Sequence, residues 1–117
     1  MQQDVSNQLN SMGIVHLVEQ QTDDGYFSLD IVISHLKVAI EVDGPYHYLL
    51  NWPPNPTGAT LLRRRLLRAQ GWRMVSVPYF LWSYSSPEEQ QLLLRERLLA
   101  VGVPEAYLSA RNTFSSL

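Results

Sequence analysis

Three carboxylates lie inside the most strand-like part of the chain. Asp30, Glu41 and Asp43 are set among Val, Ile and Leu in the segment LDIVISHLKVAIEVDGPYH, residues 29–47. Carboxylate oxygens at this spacing suit Mg²⁺ or Mn²⁺, and Mg²⁺ is commonly held by one or two carboxylates together with substrate phosphates. A metal-dependent site is therefore one interpretation. The other is a solvated strand face on which the acids pair with Arg or Lys.

The pattern of apolar residues predicts how these acids are placed. Residues 27–34 and 37–43 both read as strands, because they are rich in Val and Ile. Side chains alternate between the two faces of a strand. One face of the pair is then apolar, and the other carries the acids with Val32 and Ala39. The apolar face is predicted to consist of Leu29, Ile31, Ile33, Val38, Ile40 and Val42.

The turn between these two strands decides whether the acids meet. A two-residue turn at His35-Leu36 puts Asp30 directly opposite Glu41, with Cβ atoms about 4.5–5.5 Å apart. Like charges opposed in this way destabilise a hairpin unless a cation compensates. His-Leu is a poor sequence for a tight hairpin turn, so a longer loop with a register shifted by one or two residues is the alternative.

Helices and further strands frame the hairpin. The predicted elements are helices over residues 5–15 and 57–70, strands over residues 16–21 and 73–78, and a final helix from residue 86. Thr57 can cap the second helix and Gly71 can end it, while Ser86, Pro87 and Glu89 form a capping-box start. The order α-β-β-β-α-β-α predicts one α/β domain, a mixed sheet of about four strands flanked by helices.

A cluster of arginines lies on the helix over residues 57–70. Arg64, Arg65 and Arg68 fall on one face of this helix. The neighbouring apolar face is predicted to be Leu62, Leu66 and Ala69. The planar guanidinium group suits phosphate, which also offsets the repulsion between Arg64 and Arg68. The alternative is a solvated face, or one that pairs with the acids of the hairpin.

Aromatic residues surround the acidic and basic clusters. Tyr46 can stack on an unpaired base, and His47 can bind a phosphate or a metal. A structural role near the turn is the alternative for His47. Most of the other aromatics, Trp72 and Phe80 in particular, are expected to belong to the core.

Composition narrows the classes of protein to consider. A chain of 117 residues without cysteine suits one compact domain and excludes disulfides and thiolate metal sites. The net charge of −2 argues against a generally basic surface, yet five of the nine basic residues lie between Arg63 and Arg73. No apolar run approaches the roughly 18 residues of a membrane span. Residues 1–10 lack Lys and Arg and read as neither a signal nor a transit peptide.

Two successive segments of the chain resemble the RAP domain, which is named for RNA-binding domains abundant in apicomplexans. They are FSLDIVISHLKVAIEVDGPYHYLLN and LLRRRLLRAQGWRMVSVPYFLW. The resemblance covers residues 26–84, with residues 1–25 as an N-terminal helix and strand of the same domain and 85–117 as a C-terminal helix and tail. It implies a restriction-endonuclease-like fold, close to very-short-patch-repair endonucleases. In that fold an acid on one strand and an acid-x-Lys on the next hold Mg²⁺. Asp30 and Glu41 match the acids, and Asp43 stands where many such nucleases have Lys.

Three functions follow from the residues and the resemblance. The first is an RNA-binding domain in mitochondrial or plastid RNA processing, stability or translation, with Arg64, Arg65, Arg68, Tyr46 and His47 contacting RNA. The second is a nuclease of weak or partner-dependent activity that uses Mg²⁺ or Mn²⁺ at the three acids. The third is a structural subunit of an organellar ribosome or ribonucleoprotein. RAP domains usually follow helical repeats, which are absent from this sequence, so a helical-repeat protein or a ribonucleoprotein is an expected partner and a membrane is not.

Overall fold

Residues 1–44 and 56–108 are described by the structure, a computed structural model. Its elements are α1 (Gln2–Ser11), β1 (Leu17–Gln21), β2 (Ser28–Ile33), β3 (Val38–Asp43), α2 (Gly58–Ala69), β4 (Arg73–Pro78), α3 (Tyr79–Trp82) and α4 (Pro87–Ala100). The predicted order of elements is confirmed, although α1 begins and ends earlier than expected and the short α3 was not predicted. None of the helices in the described ranges is long and apolar enough to cross a membrane.

The strands form one mixed sheet in the order β1-β2-β3-β4. Strands β1, β2 and β3 are antiparallel neighbours, whereas β4 runs parallel to β3. A parallel pair needs a crossover, and the segment that contains α2 supplies it. The predicted α/β class with a mixed sheet is therefore confirmed.

The register between β2 and β3 is the one predicted for the tight turn. The pairs are Ile31 with Ile40, Val32 with Ala39 and Ile33 with Val38. A single turn of 3-10 helix, Ser34–Leu36, makes the connection, and Lys37 closes it in the left-handed region at φ 52°. The shifted register that a longer loop would give is not observed.

One face of the sheet packs against α1 and α4. Its buried residues are Ile31, Ile33, Val38, Ile40, Val75 and Val77 from the strands, with Val5, Leu9, Leu94 and Leu98 from the helices. Each large apolar side chain buried here contributes roughly 1.5–3 kcal/mol of transfer free energy. Of the two apolar clusters among the described residues, the larger is on this side.

The opposite face packs against α2 in a smaller cluster. Leu29, Val32, Ala39, Leu67 and Met74 are its buried members, with Phe27 and Trp72 packed against it. The predicted place of Leu29 beside Ile31 and Ile33 is therefore wrong. The reason lies at Asp30, just past the paired residues of β2 and β3, where the alternation of side chains between the faces is not kept. The core position expected for Trp72 is confirmed in part, since its ring is half-buried.

Local hydrogen bonds fix the ends of the helices. The Thr57 side chain accepts the Thr60 N–H at the start of α2. Ser86 and Glu89 form the predicted capping box at the start of α4. The hydrogen bond from the Ser86 backbone N–H lowers the pKa of Glu89, because it stabilises the carboxylate form. Both predicted helix starts are confirmed.

Candidate functional site

Helix α2 faces the sheet with an arginine and not with the apolar face predicted from its sequence. Its buried side chains are Thr60, Arg64 and Leu67, which share one face. The predicted apolar face is wrong, because Leu62 and Leu66 are 53% and 44% exposed. The strand beneath α2 presents two carboxylates, and a buried carboxylate needs a compensating charge. Pairing with these acids, rather than the number of apolar residues, orients the helix.

Arg64 joins the two acids of β3. Its Nε donates to Glu41 Oε2 at 3.0 Å, and its Nη2 donates to Asp43 Oδ2 at 2.5 Å. Nη2 also donates to the Ser76 hydroxyl at 3.1 Å, and that hydroxyl in turn donates to Asp43. Glu41 is 3% exposed and Asp43 is 0% exposed. We call these four residues, together with Arg63, the acid–arginine cluster.

Arg63 binds the second oxygen of Glu41. Its Nε donates to Glu41 Oε1 at 2.9 Å, and its Nη2 donates to the Ser28 carbonyl at the start of β2. The guanidinium carbon of Arg63 lies 5.7 Å from the centre of the Phe27 ring, within range of a cation–π interaction. Arg63 therefore ties α2 to β2 as well as to β3.

The side-chain hydrogen bond of Asp30 does not involve the acid–arginine cluster. Asp30 lies one residue beyond the last pair of β2 and β3, Ile31 with Ile40, and its place directly opposite Glu41 stays a prediction. Its carboxylate, however, accepts the backbone N–H of Val42 through Oδ2 at 2.9 Å. The Asp30 carboxylate thus replaces a backbone carbonyl as the hydrogen-bond acceptor at the end of the β2–β3 ladder.

The three acids do not fit a metal site in this arrangement. Within residues 1–44 and 56–108, no group of three or more His, Cys, Asp or Glu side chains is arranged to hold a metal ion. Both oxygens of Glu41 accept guanidinium N–H groups, and so does Oδ2 of Asp43. The two arginines balance the two acids in formal charge. Pairing with Arg, the alternative drawn from the sequence, is thus the arrangement seen for Glu41 and Asp43, and Mg²⁺ or Mn²⁺ binding stays an untested prediction.

The residues predicted to contact RNA divide into three groups. Arg65 and Arg68 are exposed on α2, where a nucleic acid can reach them. Arg64 is only 9% exposed and lies in the acid–arginine cluster, so the predicted common face of the three arginines is wrong, and its contact with RNA stays a prediction. Tyr46 and His47 fall outside the described residues.

Two members of the acid–arginine cluster were missed by sequence reasoning. Ser76 pairs with Glu41 in the parallel register of β3 and β4, and that register cannot be read before the strand order is known. Arg63 begins the run of three arginines, but its direction depends on which face of α2 is buried. Both assignments required the tertiary arrangement.

The acid–arginine cluster lies entirely in a segment that matches a known family. The model of the RAP domain family matches residues 40–97. This chain carries a RAP domain. The matched segment includes Glu41, Asp43, Arg64 and Ser76, whereas Asp30 precedes it. The resemblance drawn from the sequence motifs is confirmed.

A plant relative contains the same domain. The "RAP domain-containing protein, chloroplastic" of Oryza sativa subsp. japonica is 37% identical over 81 residues, which make up 69% of this chain. The chain covers only 12% of the length of that protein. The likeness therefore concerns one RAP-containing segment of a much longer relative.

A solved structure shares the fold. The catalytic domain of the homing endonuclease I-Bth0305I superposes with a TM-score of 0.57, covering 87% of this chain and 96% of that domain. The sequence identity is 18%, so the likeness shows the fold alone. The endonuclease-like fold implied by the RAP resemblance is confirmed.

Proposed function

We propose that this chain is an RNA-binding RAP domain that acts on organellar RNA by binding it without cutting it. The RAP family match supports the RNA-binding part, since the family is named for it. The chloroplastic rice relative supports a place in an organelle, and both plastid and mitochondrion fit a RAP domain. Processing, stabilisation and translation of RNA are the roles in which such binding would act.

The acid–arginine cluster is the observation that favours binding over cleavage. In a metal-dependent nuclease the carboxylates bind the cation that activates water and stabilises the leaving oxygen. Here the guanidinium groups of Arg63 and Arg64 bind the carboxylate oxygens of Glu41 and Asp43. A metal would have to displace three ion pairs, two of which are made by the buried Arg64. The fold of an endonuclease is thus combined with an acid pair that is already neutralised.

The exposed arginines of α2 supply the cations for RNA. Arg65 and Arg68 lie on the solvent side of the helix, and their guanidinium groups can each bind a phosphate in a bidentate manner. Neutralising a phosphate releases condensed counter-ions, so affinity falls as salt rises. Because the acid–arginine cluster has no net formal charge, it does not cancel the field of these two residues.

Fluorescence anisotropy with a labelled 12-nucleotide single-stranded RNA tests this function. The wild type is expected to bind, and Arg65→Gln combined with Arg68→Gln should lower the slope of log affinity against log salt by about 1.4, at roughly 0.7 per phosphate contact. Arg95→Gln is the matched control, because Arg95 lies on α4 and pairs with Glu105. Equal affinity of the double variant and the wild type would contradict the role of α2.

A second experiment addresses the organellar role and the structural-subunit alternative. Tagged protein expressed in its own cells is cross-linked to RNA, and the co-purified RNA is sequenced. Enrichment of particular organellar transcripts supports the proposal. Recovery of ribosomal RNA together with co-sedimentation of the protein with ribosomal particles would favour a structural subunit instead.

A further inference from the structure

A small basic pocket lies between α2 and α4. It has a volume of about 250 Å³, and three arginines line it: Arg64 and Arg68 from α2 and Arg97 from α4. Ser76 of β4, which belongs to the acid–arginine cluster, also lines it. Arg97 lies near the end of α4 and was not singled out by the sequence.

The pocket spans the edge of the sheet. Helix α2 packs on one face of the sheet and α4 on the other. Strand β4 is the last strand in the sheet order, with β3 as its neighbour. A pocket lined by both helices and by β4 must therefore lie over the outer edge of β4. A ligand there would contact residues that are far apart in sequence.

The charge of the pocket comes from two arginines. Arg64 is paired with Glu41 and Asp43, so its charge is compensated. Within the described part of the chain, Arg68 and Arg97 form no ion pair with a carboxylate. The pocket thus has an excess of two positive charges beside a neutral cluster. Such a concave basic site attracts an anion.

The size and the donors of the pocket suit a phosphate group. A volume of about 250 Å³ corresponds to roughly eight waters at about 30 Å³ each, enough for one phosphate and part of its hydration shell. Guanidinium groups from two sides offer paired N–H donors to the phosphate oxygens. A carboxylate-lined or apolar pocket would not favour such a ligand.

We propose that this pocket binds one phosphodiester of RNA between Arg68 and Arg97. The proposal deepens the proposed function and rests on it for the identity of the ligand. It extends the RNA-binding surface from α2 across the β4 edge to α4, and it makes Arg97 a binding residue. The competing explanation is that the two arginines only guard the edge strand against pairing with another chain, a use of charge known at sheet edges.

Two measurements test the pocket. In the first, inorganic phosphate is titrated into ¹⁵N-labelled protein, and the arginine side-chain Nε–H resonances are followed by NMR. Saturable shifts are expected for Arg68 and Arg97 but not for Arg95, the control on α4. In the second, Arg97→Gln and the Arg68→Gln/Arg97→Gln double variant are compared with the wild type for binding to a 12-nucleotide uridine RNA. The salt slope should fall by about 0.7 in both variants, because both lose the same single phosphate contact.

The outcomes separate this proposal from the proposed function. If the wild type binds RNA and the Arg97→Gln variant, with an unchanged melting temperature, binds it with the same salt slope, the pocket proposal is overturned and RNA binding stands. If the wild type does not bind RNA at all, the proposed function fails, and the phosphate titration decides on the pocket. Saturable shifts at Arg68 and Arg97 then support an anion site, and their absence overturns it.

Discussion

Removing Arg64 is the sharpest perturbation of the acid–arginine cluster. The Arg64→Ala variant leaves Glu41 and Asp43, 3% and 0% exposed, without the guanidinium group that joins them. Alanine is the best helix former, so the substitution does not weaken α2 by propensity. Any loss of stability therefore reports on the buried charges.

The expected loss is large on the scale of a small domain. Removing one partner of a buried ion pair costs about 3–5 kcal/mol, because the other charge is left uncompensated. Glu41 keeps its bond from Arg63, and Asp43 keeps the Ser76 hydroxyl. The lower end, about 3 kcal/mol, is therefore expected, set against a typical total of roughly 5–15 kcal/mol.

Urea unfolding followed by circular dichroism measures the effect. Arg65→Ala is the matched control, since Arg65 is the exposed neighbour on the same helix and surface substitutions usually stay within about 0.5 kcal/mol. Adding Asp43→Asn to Arg64→Ala should restore part of the stability, because a neutral amide is less costly to bury than an unpaired carboxylate. If Arg64→Ala and Arg65→Ala unfold at the same urea concentration, the cluster is not buried as described.

Three further predictions concern the orientation of α2, a helix cap and a titrating turn. Leu66→Gln should change the free energy of unfolding by less than about 0.5 kcal/mol, whereas Leu67→Ala should reduce it by about 2–5 kcal/mol. If urea unfolding shows the larger loss for Leu66→Gln, the orientation of α2 is contradicted. Ser86→Ala removes the cap of α4 and should cost about 1 kcal/mol in the same assay, with no change if the capping box is absent in solution. The pKa of Asp24 lies below its ordinary value of 3.8, chiefly because of the hydrogen bond from Thr22. The ionised carboxylate therefore stabilises the fold above pH 3.8, and this contribution is lost as the pH falls through the lowered pKa. Asp24→Asn should therefore destabilise more at pH 6 than at pH 2, and an equal effect at both values would refute this assignment.

The hairpin could be predicted from the sequence because its signals are local. The alternation of apolar and acidic residues predicted which side chains of β3 lie on each face of the sheet. The short connection around His35 predicted the register between β2 and β3. The same alternation failed at Leu29, where Asp30 takes over a backbone hydrogen bond of β3. A side chain that replaces a backbone acceptor leaves no periodic signal in the sequence.

The orientation of α2 could not be predicted because its sequence is apolar on several sides. Leu61, Leu62, Leu66 and Leu67 spread around the helix, so periodicity alone allows more than one buried face. The carboxylates of β3 decide between them by drawing Arg64 inward. That choice depends on a contact between residues more than twenty positions apart, which a helical pattern does not contain.

The most direct test of the account combines binding and cleavage in one experiment. Purified protein is incubated with single-stranded RNA in Mn²⁺, Mg²⁺ or EDTA, and both the bound fraction and the integrity of the RNA are measured. We expect the RNA to be bound in all three conditions and to remain intact, because guanidinium groups neutralise Glu41 and Asp43 and leave no free carboxylate pair for a metal. Rapid metal-dependent cleavage that disappears in Glu41→Gln would contradict the account and make the domain a nuclease.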